Sequence, residues 1–143
     1  MTGSRVLAID LGEKRIGISI SDPSKTIATP FGVITHVSRK IDAAVVLQIA
    51  EENSVDTIVI GQALGENGEE TRQSRHAQRF MKGLSEESNI KITLWDESYS
   101  TNIARMTRVA MGVNQKNRRG HLDDLAATII LQSYLEMLHE LET

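Results

Sequence analysis

The chain has 143 residues, with 16 Lys and Arg against 19 Asp and Glu for a net charge of −3. That length suits one domain, residues 1–143, whose core needs no cross-links. It has no cysteine, which excludes disulfides, thiol nucleophiles, zinc fingers and iron–sulfur clusters. No apolar run approaches the roughly 18 residues of a membrane span, and the opening MTGSRVLAID lacks the apolar stretch of a secretory signal. A cytoplasmic protein without membrane contact is expected, monomer or homodimer being left open.

Arg5 to Asp10 carries Val6, Leu7 and Ile9, a short apolar run typical of a buried strand. A turn at residues 11–15 leads to Ile16–Ser21, where Ile16, Ile18 and Ile20 alternate as a second strand. Ile27 to Thr35 reads as a third, and Pro30 makes it an edge or bulged one. These three form an antiparallel meander. Ser38 is placed to cap a helix with an apolar face of Ile41, Ala44, Val45 and Ile49. Thr57 to Ile60 is a β-branched buried strand ending at Gly61, and residues 63–70 are a loop rich in Gly and Glu. A helix follows from about Thr71 to Ser85, with Ala77, Phe80, Met81 and Leu84 turned inward. Ile90 to Trp95 is another strand, Thr101 to Met111 a helix, residues 112–120 a polar loop, and Leu122 to Leu141 a long final helix.

A meander followed by alternating helix and strand predicts an α/β fold, with a mixed five-stranded sheet flanked by helices. Sites in such sheets form beyond the strand ends, where chain direction switches. Acids stand there. Asp10 ends the first strand, and an acid at the end of a buried strand is costly to desolvate unless paired or bound to a cation. Its plain alternative is a turn residue bending the chain. Asp96 and Glu97 end the last strand, with helix N-terminal charge complementation as their alternative. Asp123 heads the buried face of the final helix, in line with Ala126, Ala127, Ile130 and Tyr134. Asp124 lies about 100° round the helix. The alanines allow a close approach to the sheet.

Together these acids can reach one edge of the sheet. A few carboxylates suffice for Mg²⁺, which keeps several waters, and such ions can activate water and stabilise the leaving oxygen of a phosphodiester. Setting Asp10, Glu97, Asp123 and Asp124 aside moves the net charge from −3 to +1, so the acidic balance does not decide against nucleic acid. Arg105, Arg108, Lys116, Arg118 and Arg119 cluster around the third predicted helix and the loop before Asp123, and Arg72, Arg75, Arg79 and Lys82 share one face of the second. Both groups could bind phosphates; an ordinary solvated face is the alternative. With 3% aromatic residues, backbone and shape recognition is favoured over base stacking. His36, His76, His121 and His139 show no metal-ligand spacing.

The stretches AIDLGEKRIGISISD (8–22), IVIG (58–61), DESYST (96–101) and LDDLAATIILQSYL (122–135) resemble the YqgF-like family, over essentially the whole chain. The resemblance implies a ribonuclease H-like fold and a metal-dependent nuclease using Mg²⁺ or Mn²⁺. Its implied substrate is the 5′ end of pre-16S ribosomal RNA or a branched DNA junction. It places Asp10, Glu97 and Asp123 on the family's acidic positions. The chain departs from the pattern at Ser98, where the family has Arg, and at Gln62-Ala63, where it has Leu-Pro. Losing that Arg removes a phosphate or carboxylate partner.

Two other classes fit parts of the sequence. Asp10-Leu11-Gly12 and Gly17 resemble the phosphate loop of actin-like ATPases and sugar kinases, which need two lobes where 143 residues supply one. A non-catalytic nucleic-acid or ribosome-associated binding module that kept the fold fits Ser98 and the acidic balance. It gives no reason to gather carboxylates where a phosphate backbone must lie.

Overall fold

The computed structural model describes residues 3–97 and 122–142. The predicted helix 101–111, the loop 112–120, and with them Ser98, Arg105, Arg108, Lys116, Arg118, Arg119 and His121 lie outside these residues, as does the side chain of Asp123.

Five strands form one sheet in the order β3-β2-β1-β4-β5. They are β1 (Arg5–Leu11), β2 (Arg15–Ser21), β3 (Ala28–Thr35), β4 (Val55–Gln62) and β5 (Lys91–Asp96). β1, β2 and β3 pair antiparallel, while β1–β4 and β4–β5 pair parallel. The expected meander and mixed sheet are both present. β3 is an edge strand, and its register slips between Ile18–Gly32 and Ser19–Pro30, so Pro30 sits at an edge and beside a bulge. Three helices are described: α1 (Arg39–Glu52), α2 (Arg72–Glu87) and α3 (Leu122–Glu142).

Period-two alternation sorts the strand residues to two faces. Leu7, Ile9, Ile16, Ile18, Ile58 and Ile60 point to one side and bury Ala43, Val46 and Ala50 of α1 and Ala77, Phe80 and Leu84 of α2. Val6, Ala8 and Val59 point to the other and pack on Ile130, Leu131, Tyr134 and Leu135 of α3. Caps fix where the helices start. Ser38 accepts a hydrogen bond from Ile41 N–H at 3.2 Å, as expected. Thr71 caps α2 in a reciprocal box with Ser74.

The face of α1 differs from the expected one. Asp42, Ala43, Val46 and Ala50 are buried, whereas Ile41 is 49% exposed and Ala44 lies in solvent. The helix is apolar around most of its circumference, so spacing alone does not choose a face. The buried Asp42 carboxylate chooses it, accepting from Val37 N–H at 3.0 Å and meeting His36 Nδ1. That anchors the start of α1 to the end of β3 and turns it about one residue from the predicted orientation.

Candidate active site

Asp10 sits one residue before the end of β1, opposite Gly17 of β2 and one position beyond the Ile9–Ile60 pair that joins β1 to β4, which puts Gly61 beside it. Parity sends Asp10 to the α3 side with Val6 and Ala8. The position is flanked by glycine on both neighbouring strands, so neither strand sets a side chain of its own beside the carboxylate.

Glu97 follows the last residue of β5. Its strand end is held from α3 through Trp95, whose Nε1 donates to Ser133 Oγ at 3.0 Å and whose ring meets Tyr134 edge-on at 5.5 Å. Glu97 then reaches across Gly61 towards Asp10. A Cβ built on Gly61 would lie 3.0 Å from Glu97 Oε1 and 2.5 Å from Ile130 Cδ1, so only glycine leaves room there for both the carboxylate and α3.

Asp10 and Glu97 share a hydrogen bond. Burial, the neighbouring Asp10 charge, that hydrogen bond and the charge of Asp96 together push Glu97 from 4.5 up to about 7. A hydrogen bond between two carboxylates needs a proton, and the strand ends hold the pair in a setting where both charges are costly.

α3 is drawn onto this face by small residues. Ser19 Oγ donates to Ala127 O at 2.8 Å, and Ala127 is fully buried, as the alanine pair implies. Gln132 fixes the helix laterally, accepting from Ala28 N–H at 2.9 Å. Asp123 and Asp124 occupy the first turn of this docked helix. The structure buries Asp124 to 3% exposure, in line with Ala127, Thr128 and Leu131, so Asp124, expected about 100° away from the buried face, lies on the sheet-facing side of the helix. Among the described residues, no three His, Cys, Asp or Glu side chains form a metal-holding group, so the proximal set on view is Asp10 with Glu97. It is a hard-oxygen donor set, held close enough to share a proton that a cation can replace, and therefore fits a divalent ion.

Sequence reasoning named Asp10 and Glu97 but assigned no role to Gly61. Its signal was present: a glycine ending a β-branched strand marks a close approach, though the atoms approaching it come from elsewhere in the chain.

Solved structures share this architecture. Thermus thermophilus RuvC in complex with Holliday junction substrate superposes with a TM-score of 0.61 at 16% identity, covering 93% of this chain and 95% of that one. The fowlpox virus resolvase bound to Holliday junction DNA gives 0.56 at 17%, covering 94% and 98%. The fold is ribonuclease H-like, with two acids meeting at the ends of β1 and β5.

A family model described as "RuvX: Holliday junction resolvase" matches residues 4–137, and the chain belongs to this family. Among its curated relatives, each named "Putative pre-16S rRNA nuclease", that of Rhizobium meliloti is 36% identical over 136 residues, 95% of this chain and 82% of the relative. That of Endomicrobium trichonymphae is 36% identical over 135 residues, 94% and 96% respectively. The chain is thus an enzyme of a phosphodiester-hydrolysing family.

Proposed function

We propose that this chain is a divalent-metal-dependent nuclease whose site is formed by Asp10, Glu97, Asp123 and Asp124, and that it trims the 5′ end of pre-16S ribosomal RNA. The observation that carries the reading is the hydrogen-bonded Asp10–Glu97 pair, set between two glycines at the sheet edge. Two acids that repel unless a proton lies between them suit a cation better than they suit a turn.

A bound Mg²⁺ or Mn²⁺ would supply Lewis-acid activation of water and neutralisation of phosphate charge. The protein's part is placement. β1 and β5 hold the two carboxylates, Gly61 leaves room for Glu97 beside α3, and the first turn of α3 carries the two further acids assigned to the site. Arg105, Arg108, Lys116, Arg118 and Arg119 are assigned to gripping the nucleic-acid backbone. Among the described residues no helix is long and apolar enough to cross a membrane, and the proposed ribosomal RNA substrate supports a cytoplasmic assignment.

The test is a substrate panel with Mg²⁺ or Mn²⁺, containing precursor 16S RNA with its 5′ extension, mature RNA and a four-way DNA junction. Metal-dependent removal of the RNA extension, lost in Asp10→Asn, is the expected result. Cleavage of the junction alone would favour the activity in the family's description. Binding without cleavage under any metal would leave a non-catalytic module.

A further inference from the structure

On the opposite side of the sheet edge from Asp10 lies a cavity of about 520 Å³ lined by Leu11, Gly12, Glu13, His36, Arg72, Gln73, His76 and Arg79. Its floor is the turn that continues directly from Asp10. Gly12 N–H closes that turn on Arg15 O at 2.9 Å, and a Cβ on Gly12 would meet the same oxygen at 2.5 Å, so no side chain stands there. Its wall is the first half of α2. Arg72, His76 and Arg79 are spaced i, i+4, i+7, on one stripe of the helix.

The charges in the cavity are unbalanced. His36 is matched by the buried Asp42 carboxylate. Gln73 is held as scaffold, its Oε1 accepting from Ala63 N–H at 2.6 Å and its Nε2 donating to Gly61 O at 3.2 Å. Arg72 and Arg79 have no ion-pair partner among the described residues, and Glu13 is the one carboxylate in the lining. His76 registers the excess. Its pKa is lowered by burial and by the positive charges of Arg79, Arg39 and His36, against which Asp42 acts only weakly. A partly buried imidazole beside two guanidinium groups favours the binding of an anion.

We propose that this cavity is a phosphate-binding subsite that takes the backbone of a nucleic-acid strand crossing the sheet edge towards Asp10, with Arg72 and Arg79 as its phosphate ligands. The proposal rests on the nuclease reading for its substrate class. The distances suit it. Gly12 lies within about 7 Å of Asp10, the reach of two extended residues. Arg72 and Arg79 are about 10.5 Å apart along the helix, far enough for the two guanidinium groups to engage different phosphates of one strand. A strand with its reacting phosphate at the carboxylates would set its neighbours along the α2 stripe. The cations between residues 105 and 119 then need not supply all of the grip.

The experiment uses the full chain without metal. Inorganic phosphate and a short single-stranded RNA are added while the imidazole of His76 is titrated by NMR, and RNA affinity is measured across a salt series. Bound phosphate should move the His76 titration to higher pH in the wild type and not in Arg79→Ala. RNA binding should weaken several-fold in Arg72→Ala and in Arg79→Ala, with the salt slope lowered by about one in each. Lys91→Ala, at the opposite end of the sheet, serves as the charge-matched control and should change neither. A His76 titration indifferent to phosphate, with an unaltered salt slope in both arginine variants, overturns the subsite. Phosphate that moves His76 while RNA binding ignores both arginines overturns the backbone assignment and leaves a free-phosphate site. If the His76 and salt responses appear but the metal-loaded protein cleaves nothing, the nuclease reading falls and the subsite stands. If Arg79→Ala cleaves RNA with unchanged KM and its wild-type parent shows no His76 response, the subsite alone falls.

Discussion

The two faces of the sheet are built on opposite rules. Towards α1 and α2 the strands present Leu7, Ile9, Ile16, Ile18, Ile58 and Ile60, closed by Phe80 and Leu84. Towards α3 the same strands present Val6, Val59 and Ser21 but, nearer the site, Ala8, Gly17, Ser19 and Gly61. The first face stabilises the fold by burying bulk, at about 1.5–3 kcal/mol for each large side chain. The second gives up bulk so that a helix carrying two acids can settle close to the strand ends where Asp10 and Glu97 meet. Stability and chemistry are therefore separable by face, and substitutions on each should fail in different ways.

Asp10→Asn should give the largest effect. On the nuclease reading it abolishes metal-dependent cleavage while leaving the fold equally or slightly more stable, because one of two opposed carboxylates is gone. If Asp10 merely bends the chain, the same change keeps activity and costs about 0.5–2 kcal/mol. A cleavage assay and a thermal melt separate the two by sign. Phe80→Ala is the counterpart on the other face. It should cost about 3–5 kcal/mol through the cavity it leaves, with cleavage per folded molecule retained below the melting transition. A cleavage loss there beyond the unfolded fraction would show that the faces are not separable.

Gly61→Ala probes the join between the faces. The added methyl overpacks against Ile130 and should cost about 1–3 kcal/mol, while pushing the Glu97 carboxylate away from Asp10. Adding Ile130→Val removes the closer contact and should restore much of the stability. It should not restore cleavage, since the approach of 3.0 Å to Glu97 remains. Recovery of both would mean that Glu97 tolerates displacement.

How much of this was legible depended on whether the deciding contact was local. The strands were readable because alternation is a property of neighbours: Val6 and Ala8 against Leu7 and Ile9 needs no knowledge of the helices. The Ser38 cap is local in the same way. The face of α1 was not, because Ile41, Ala44, Val45 and Ile49 make as good a stripe as Ala43, Val46 and Ala50, and only the contact of Asp42 with His36 and Val37 decides. Asp10 and Glu97 were legible as acids at strand ends. Their hydrogen bond was not, since it depends on register across β1, β4 and β5. Gly61 matters through Ile130, a contact with no sequence signature, and the burial of Asp124 follows from how closely Ala127 lets α3 approach β2.

The smallest expected effect is the most specific to the acidic face. Glu97 titrates near 4.5 when unfolded and at about 7 in the folded protein. Between those values the folded state holds a proton that the unfolded state has lost. Stability of the metal-free protein must then fall as pH rises through that window, and the loss is complete above about pH 7. The usual carboxylate, with its pKa lowered by folding, gives the opposite slope. Asp22 is such a group: hydrogen bonds from Ile27 N–H, the Ser24 hydroxyl and Thr26 N–H hold it down at about 2. Its contribution is complete by about pH 5, so it leaves most of the Glu97 window clear. Glu97→Gln keeps the shape of the protonated acid and cannot ionise. It should remove the decline between pH 4.5 and 7 and leave the variant more stable than the parent at pH 8, by an amount that solvent reaching this half-buried group keeps small. Denaturant melts of both proteins with chelator at a series of pH values measure this directly. A parent whose stability rises across that window, or a variant with the same pH profile, would mean that Glu97 is an ordinary surface carboxylate and that no proton is held between the two acids.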